Sequence, residues 1–309
     1  MNNMACGKKP KTFELSLERG DLLPLLLMMP ALLVILCIMV VPVCYGFALS
    51  FFNARFGMSD YAESFAGLGN YVRFFNDPTA IKAIFNTLYF SFAAIAGDFI
   101  LGTICAVLLV KIPRLFAAVL RPVITIPLLI SPVVVGLLWR YIYDPNGILY
   151  WFLGLFGLGI SHFPGVTAAS TAMLSVVMAH WWQVTPFVII VLTAGLLSIP
   201  EEYYEAARID GAGGFAIFWR ITFPQLRNVY MVIMLISGVD TIKVFDIIYS
   251  LTGGGPNNSS LSLSIYAYSQ GFEQSNLSYS MAISFMTMLI TFIIFGIPFV
   301  RHNLGKGNR

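Results

Sequence analysis

The sequence predicts an all-α membrane protein with six transmembrane helices. Of 309 residues, 58% are hydrophobic and 11% are charged, where a soluble domain carries about 25% charged residues. Six stretches are apolar over the roughly 20 residues a helix needs to cross the hydrocarbon core. Lysine and arginine concentrate on one side of those stretches, the asymmetry that sets membrane topology.

Residues 1–21 are polar and basic, with Lys8, Lys9, Lys11 and Arg19 ahead of an apolar run from Leu22 to Phe52. That run is too long for the apolar core of a cleaved signal peptide, so it is expected to stay attached and span. Spans are expected at 25–50, 84–109, 117–142, 171–196, 228–250 and 279–300, inside a membrane domain from 22 to 300 with a short tail at 301–309. With the N-terminus inside, thirteen lysines and arginines fall on the cytoplasmic side; four, Arg55, Arg73, Lys82 and Arg140, fall outside. Both termini and the polar loop 198–226 are therefore expected in the cytoplasm. The third outer loop opens with Gly253-Gly254-Gly255-Pro256, which fits only a tight non-helical turn.

Several function classes drop out. A net charge of +3 without a basic cluster gives no footprint for nucleic acid. Cys6, Cys37, Cys44 and Cys105 form no C-x-x-C pair and read as small packing residues. His162, His180 and His302 lie far apart, with no metal-ligand spacing. No phosphate-cradling GxxxxGK[ST], nucleophile elbow or H-E-x-x-H occurs. The chain is therefore not expected to be an enzyme, to carry catalytic residues or to bind a metal or cofactor of its own.

Four ionisable residues fall within the expected spans: Asp98, Asp240, Lys243 and Asp246. Such charges cost about 2.5 to 3.5 kcal/mol each on the insertion scale and tend to face a bundle interior or a wet path. Asp240, Lys243 and Asp246 are spaced to share one helical stripe on which the lysine can pair with either acid. The stripe reads either as a self-neutralising structural cluster or as the wall of a polar solute path. Asp98 reads as a carboxylate bonded to a neighbouring helix or as a proton carrier. Trp139, Trp181 and Trp182 are expected to anchor span ends at the interface. Pro127, Pro132 and Pro186 are expected to kink their spans, neighbouring helices satisfying the freed carbonyls.

The longest charged interruption on the cytoplasmic side is SIPEEYYEAARIDGAGGFAIFWRITFPQL, from Ser198 to Leu226. Ser198 with Glu201 fits a capping box, and Glu201 and Glu202 suit a helix's first turn. That helix should run through Glu205, Ala206, Ala207 and Ile209 and end at Gly211. Gly213 and Gly214 let the chain turn, and a second short helix, Phe215 to Thr222, should stop at Pro224. Apolar residues such as Phe215 and Trp219 could rest on the bilayer and make the loop a mere connector. The small side chains of Ala206 and Ala207 on an exposed helix instead leave room for another protein to approach.

Glu205-Ala206-Ala207, Asp210-Gly211 and the later Ile221-x-x-Pro224 resemble the loop motif of permease subunits in binding-protein-dependent ABC importers. The family pattern has leucine before the proline, where this chain has Phe223. Further stretches resemble the carbohydrate-uptake branch, and specifically the first permease of maltose- or glycerol-phosphate-type pairs: GLGNYVRFF at 67–75, WRYIYDPNG at 139–147 and KVFDIIYSLTGGGP at 243–256. The resemblance implies a multi-pass protein of the cell inner membrane. It implies that the loop is a coupling helix docked on a cytoplasmic ATPase, with Glu205, Ala206, Ala207, Asp210, Gly211 and Pro224 as the coupling residues. It further implies two ATPase copies that carry the ATP and magnesium, a second homologous permease and an extracytoplasmic solute-binding protein delivering a sugar, polyol or related solute. The alternative is a self-contained, ion-coupled secondary transporter using Asp98 or the Asp240/Lys243/Asp246 stripe.

Overall fold

A computed structural model describes residues 22–57, 64–158 and 163–306. The expected segment at 1–21, His162 and the last residues of the tail lie outside them. The chain divides into two units, Met1–Ala48 and Leu49–Arg309.

The first span consists of α1 (Leu22–Ile35), a π turn (Leu36–Val40) and α2 (Val41–Leu49). From Leu27 to Val43 its large apolar side chains are exposed.

In the second unit, α3 (Gly69–Asn76) leads to Asp77, whose carboxylate accepts the Thr79 amide at 2.9 Å and caps α4 (Pro78–Lys111). Pro78 at the first helical position loses nothing by lacking an N–H. One face of α4 is built from Ala80, Ala83, Thr87, Ser91, Ala94, Gly97, Gly102 and Ala106, all buried. Small residues at helical spacing let a second helix approach closely, and α8 (Ala172–Leu197) does so. A Cβ on Gly97 would lie 2.0 Å from the Trp181 ring, and one on Gly102 2.5 Å from Val188. Trp181 is thus a packing residue inside the bundle, its Nε1–H donating to the Ala93 and Ala94 carbonyls at 3.1 Å, and not the interfacial anchor expected of it.

The span expected at 117–142, with kinks at Pro127 and Pro132, is bent sharply at those prolines. α5 (Arg114–Thr125) passes through a 3-10 turn (Ile126–Leu129) and meets α6 (Pro132–Ile142) at a bend of 96°. Pro132 forces Ser131 into an extended conformation, ψ 138°. The Ile130 carbonyl left in the bend accepts from Gln183 Nε2 of α8 at 2.8 Å, the rescue by a neighbouring helix that such kinks require.

After α7 (Ile148–Gly154) and α8 come α9 (Glu201–Ile209), α10 (Gly214–Ile217), a π turn (Phe218–Thr222) and α11 (Phe223–Ile242). Contrary to the expectation from the sequence, Pro224 does not stop a helix. All of Ile217, Phe218, Thr222 and Phe223 are right-handed helical, and the Phe223 N–H reaches back to the Phe218 carbonyl. The same arrangement recurs at Val41 before Pro42 and at Ile297 before Pro298. A proline ring clashes with the carbonyl four residues back; widening that turn by one residue moves the carbonyl away and lets the helix continue.

α11 ends at Ile242, residues 243–245 are non-helical, and α12 (Asp246–Leu251) restarts the helix. Gly253 and Gly254 then take positive φ, 63° and 88°, in the expected turn. The segment after this turn forms α13 (Leu263–Tyr268), followed by α14 (Leu277–Thr291), a π turn (Phe292–Gly296) and α15 (Ile297–Lys306).

Among the described residues, four helices are long and apolar enough to cross a membrane: Leu27–Leu49, Pro78–Lys111, Ala172–Leu197 and Leu277–Arg301. The bent pair makes a fifth if counted as one span. The count of six is not reproduced, because α11 carries Arg227 and Asp240 and the expected span 228–250 breaks at Lys243.

Candidate functional site

The loop 198–226 is where the sequence pointed most strongly. Ser198 does not cap α9: its hydroxyl donates back to the Gly195 carbonyl at 2.7 Å, closing α8, while Pro200 precedes α9. Glu201 and Glu202 occupy the first turn of α9, where the helix dipole favours negative charge. Its end is a Schellman motif: the Ala212 amide donates to the Ala207 carbonyl at 2.9 Å and the Gly211 amide to Arg208 at 3.0 Å. Gly211 sits at φ 77°, a conformation that any Cβ strains. Across the turn, the Tyr204 and Thr222 hydroxyls lie 3.3 Å apart and tie α9 to the π turn. Glu205, Ala206 and Asp210 are exposed and Ala207 is half-buried, so α9 presents a small-residue face with acids at its edges. Ile209 is 86% exposed and Phe215 79%, an apolar pair flanking the hinge. Behind the helix a cavity of about 880 Å³ runs past Lys111, Tyr204, Arg208 and Phe218.

The expected solute-path residues separate into different settings. Asp98 is fully buried between α4 and α8, its carboxylate 3.1 Å from His180 Nε2 and accepting the Thr185 hydroxyl at 2.9 Å. It faces a helix partner and not an open path. Asp240 and Lys243 pair at 2.8 Å with side chains 60% and 64% exposed. Asp246 is not on their stripe: the break at 243–245 puts it in the first turn of α12. The Val244 carbonyl freed by that break accepts from Ser262 Oγ at 3.0 Å. His180, Thr185 and Gln183, which sequence reasoning passed over, all serve as partners for groups on other helices. The signal for them was their shared place in one apolar run, where polar groups need partners.

A further polar centre was missed. The Asp77 carboxylate, which caps α4, also accepts from the Tyr266 and Tyr279 hydroxyls, the latter at 2.8 Å. Arg73 lies 4.0 Å over the Tyr279 ring. Burial raises the Asp77 pKa, but the bonds from Tyr266, Tyr279 and the Thr79 and Ala80 amides outweigh it and hold the carboxyl below its ordinary value. Burial, with the bond to Asp77, pushes the Tyr266 phenol up. A carboxyl lowered on folding contributes stability that is fully present above about 4, its ordinary value, and is lost below that as the pH falls through the lowered folded-state value. Asp77→Asn is expected to lower the thermal midpoint at neutral pH and to narrow the difference between neutral and acid midpoints, read by scanning fluorimetry of the detergent-purified protein.

The fold and the loop define a polytopic helical membrane component with a short exposed helix in its long polar loop. Residues 98–300 match the family described as binding-protein-dependent transport system inner membrane component. A probable ABC transporter permease of Bacillus subtilis, YurN, is 33% identical over 89% of this chain and 94% of its own length. The trehalose/maltose transport system permease MalF of Thermococcus litoralis is 33% identical over 86% of this chain and 88% of its own. Among solved structures, a bacterial ABC transporter involved in alginate import shares the fold at TM-score 0.76 and 22% identity, covering 91% of this chain and 94% of that one.

The chain belongs to this family: it is an inner-membrane permease component of a binding-protein-dependent ABC transporter. That membership gives the ion-coupled alternative no support.

Proposed function

We propose that the chain forms one half of an ATP-driven import path for a sugar, polyol or related solute. The observation that carries this reading is the exposed α9, with Glu205 and Ala206 facing outward and the chain reversed cleanly at Gly211. The helix docks in a cleft of a cytoplasmic ATPase, Glu205 supplying the polar contact and Ala206 and Ala207 the close approach. Asp210 completes the helix end, and Pro224, behind its widened turn, carries the motion into α11. Two ATPase copies bind the ATP and magnesium, for which this chain has no phosphate-cradling motif. A second homologous permease completes the path. A solute-binding protein delivers the cargo on the outer side, and both termini face the cytoplasm with the lysine- and arginine-rich loops. The trehalose/maltose relative supports the solute class.

The test is reconstitution. The chain, purified from its native membrane with the subunits that accompany it, is placed in proteoliposomes with its binding protein and a panel of labelled sugars. Uptake is expected only with ATP on the loop side. Uptake driven by a proton gradient in the absence of ATP would falsify the reading.

A further inference from the structure

We propose that the groove between the α11–α12 break, α13 and α14 is a saccharide-binding segment of the translocation path, fitted to an uncharged sugar. This rests on the import reading above and assigns that path specific residues. The groove has a volume of about 590 Å³ and is lined by Lys243, Phe245, Tyr268, Phe272, Ser284 and Thr287 among others.

Its depth and its charge show what it opens onto. From Leu277 to Thr287, α14 rises about 15 Å, half the thickness of a hydrocarbon core. Below Thr287, Phe295 packs on Gly238, two residues before Asp240 and five before Lys243. The ion pair therefore sits well inside the span with more than half of each side chain exposed. In lipid such charges are costly, and a helix docked over them would have to desolvate both. Water accounts for their exposure.

The aromatic side chains beside the pair are contiguous. Phe245 stacks on Tyr249 at 5.0 Å with 14° between planes, and Tyr268 on Phe272 at 5.1 Å with 30°. Phe245 and Tyr268 join the two stacks at 5.3 Å. Tyr249 is 42% exposed and Phe272 67%, so ring faces and edges are available to the apolar face of a pyranose. Opposite them, Ser284, Thr287 and Thr291 each donate to a carbonyl one turn back in α14, at 3.0, 2.9 and 2.8 Å. Their protons are used internally, so toward the groove these oxygens act as acceptors for sugar hydroxyls. Lys243, the one charged side chain among the lining residues, supplies donors, and its partner Asp240 offsets its charge from beside the groove. A carboxylate or phosphate on the cargo therefore meets no uncompensated cation, and Glu273, whose charge acts on Tyr249, disfavours it further.

The experiment uses the complete reconstituted transporter and measures ATP-dependent uptake of maltose and of galacturonate, with binding-protein-stimulated ATPase as the second readout. Tyr249→Ala and Tyr268→Leu are each expected to raise the KM for maltose about tenfold, equivalent to about 1.4 kcal/mol, with ATPase stimulation retained. Tyr249→Phe and Tyr268→Phe are expected to stay near the unsubstituted value, since the ring and not the hydroxyl makes the contact. Asp240→Asn, which leaves Lys243 uncompensated, is expected to improve galacturonate uptake relative to maltose. Maltose KM within twofold of the unsubstituted value in both aromatic truncations overturns the groove assignment. So does loss of the second permease on purification of those variants, which would make the groove a subunit interface. If the unsubstituted complex moves no sugar with ATP, the import reading itself fails, a result separate from either.

Discussion

Gly211→Asp abolishes solute uptake while the protein remains inserted and abundant: this is the largest functional effect expected of a single substitution. The backbone at Gly211 is left-handed, which costs a residue bearing a Cβ about 1 to 2 kcal/mol. No atom lies within 4 Å of a Cβ placed there, so the fold is not blocked by a clash. The strain acts instead on the direction in which the chain leaves α9, and the new carboxylate stands at the helix end where negative charge is disfavoured. Glu205→Lys reverses the charge on the exposed face without touching the backbone and is expected to have the same outcome. Gly211→Ala, which has the strain without the charge, should retain part of the activity. The measurements are uptake, coupled ATPase activity and the amount of permease in the membrane. Normal uptake in both Gly211→Asp and Glu205→Lys sinks the coupling assignment.

Asp98→Ala is the largest expected effect on assembly. Removing this carboxylate leaves His180 without its partner and the Thr185 hydroxyl without its acceptor, both nearly sealed from solvent. Leaving a buried polar group without its hydrogen-bond partner costs about 1 to 3 kcal/mol, and here two groups lose theirs at once. The pair sits beside a tight helix crossing, where Gly97 admits Trp181, so loosened packing has little slack to absorb it. The expected result is a strong loss of monodisperse complex in detergent and a lowered thermal midpoint, with Asp98→Asn intermediate because its amide oxygen still accepts from Thr185. A proton-carrying role predicts the opposite pattern: normal assembly and no transport.

What the sequence disclosed follows the range of the interactions involved. The helix 201–209 and its glycine end were legible because a Schellman turn depends on a handful of consecutive residues. Pro224 was misread because continuity past a proline depends on widening the preceding turn, which leaves no local mark. The kink in the span at 117–142 was legible from Pro127 and Pro132, but its 96° was not, because the bend at Ser131 is held by Gln183, distant in sequence. Lys243 to Phe245 contain neither glycine nor proline; the interruption is stabilised from Ser262, across the third outer loop. Asp98 was recognised as needing a partner, but His180 lies 82 positions away and no spacing announces it.

The widened turn before Pro224 has a mechanical consequence. From Gly214 to Ile242 the chain is one helix about 42 Å long, reaching from beside the docking loop to the foot of the Asp240–Lys243 pair. A proline that truly ended the first segment would put a swivel at the cytoplasmic surface and dissipate any displacement there. A rod with a single yielding collar instead carries a tilt imposed at one end to the other, amplified by its length.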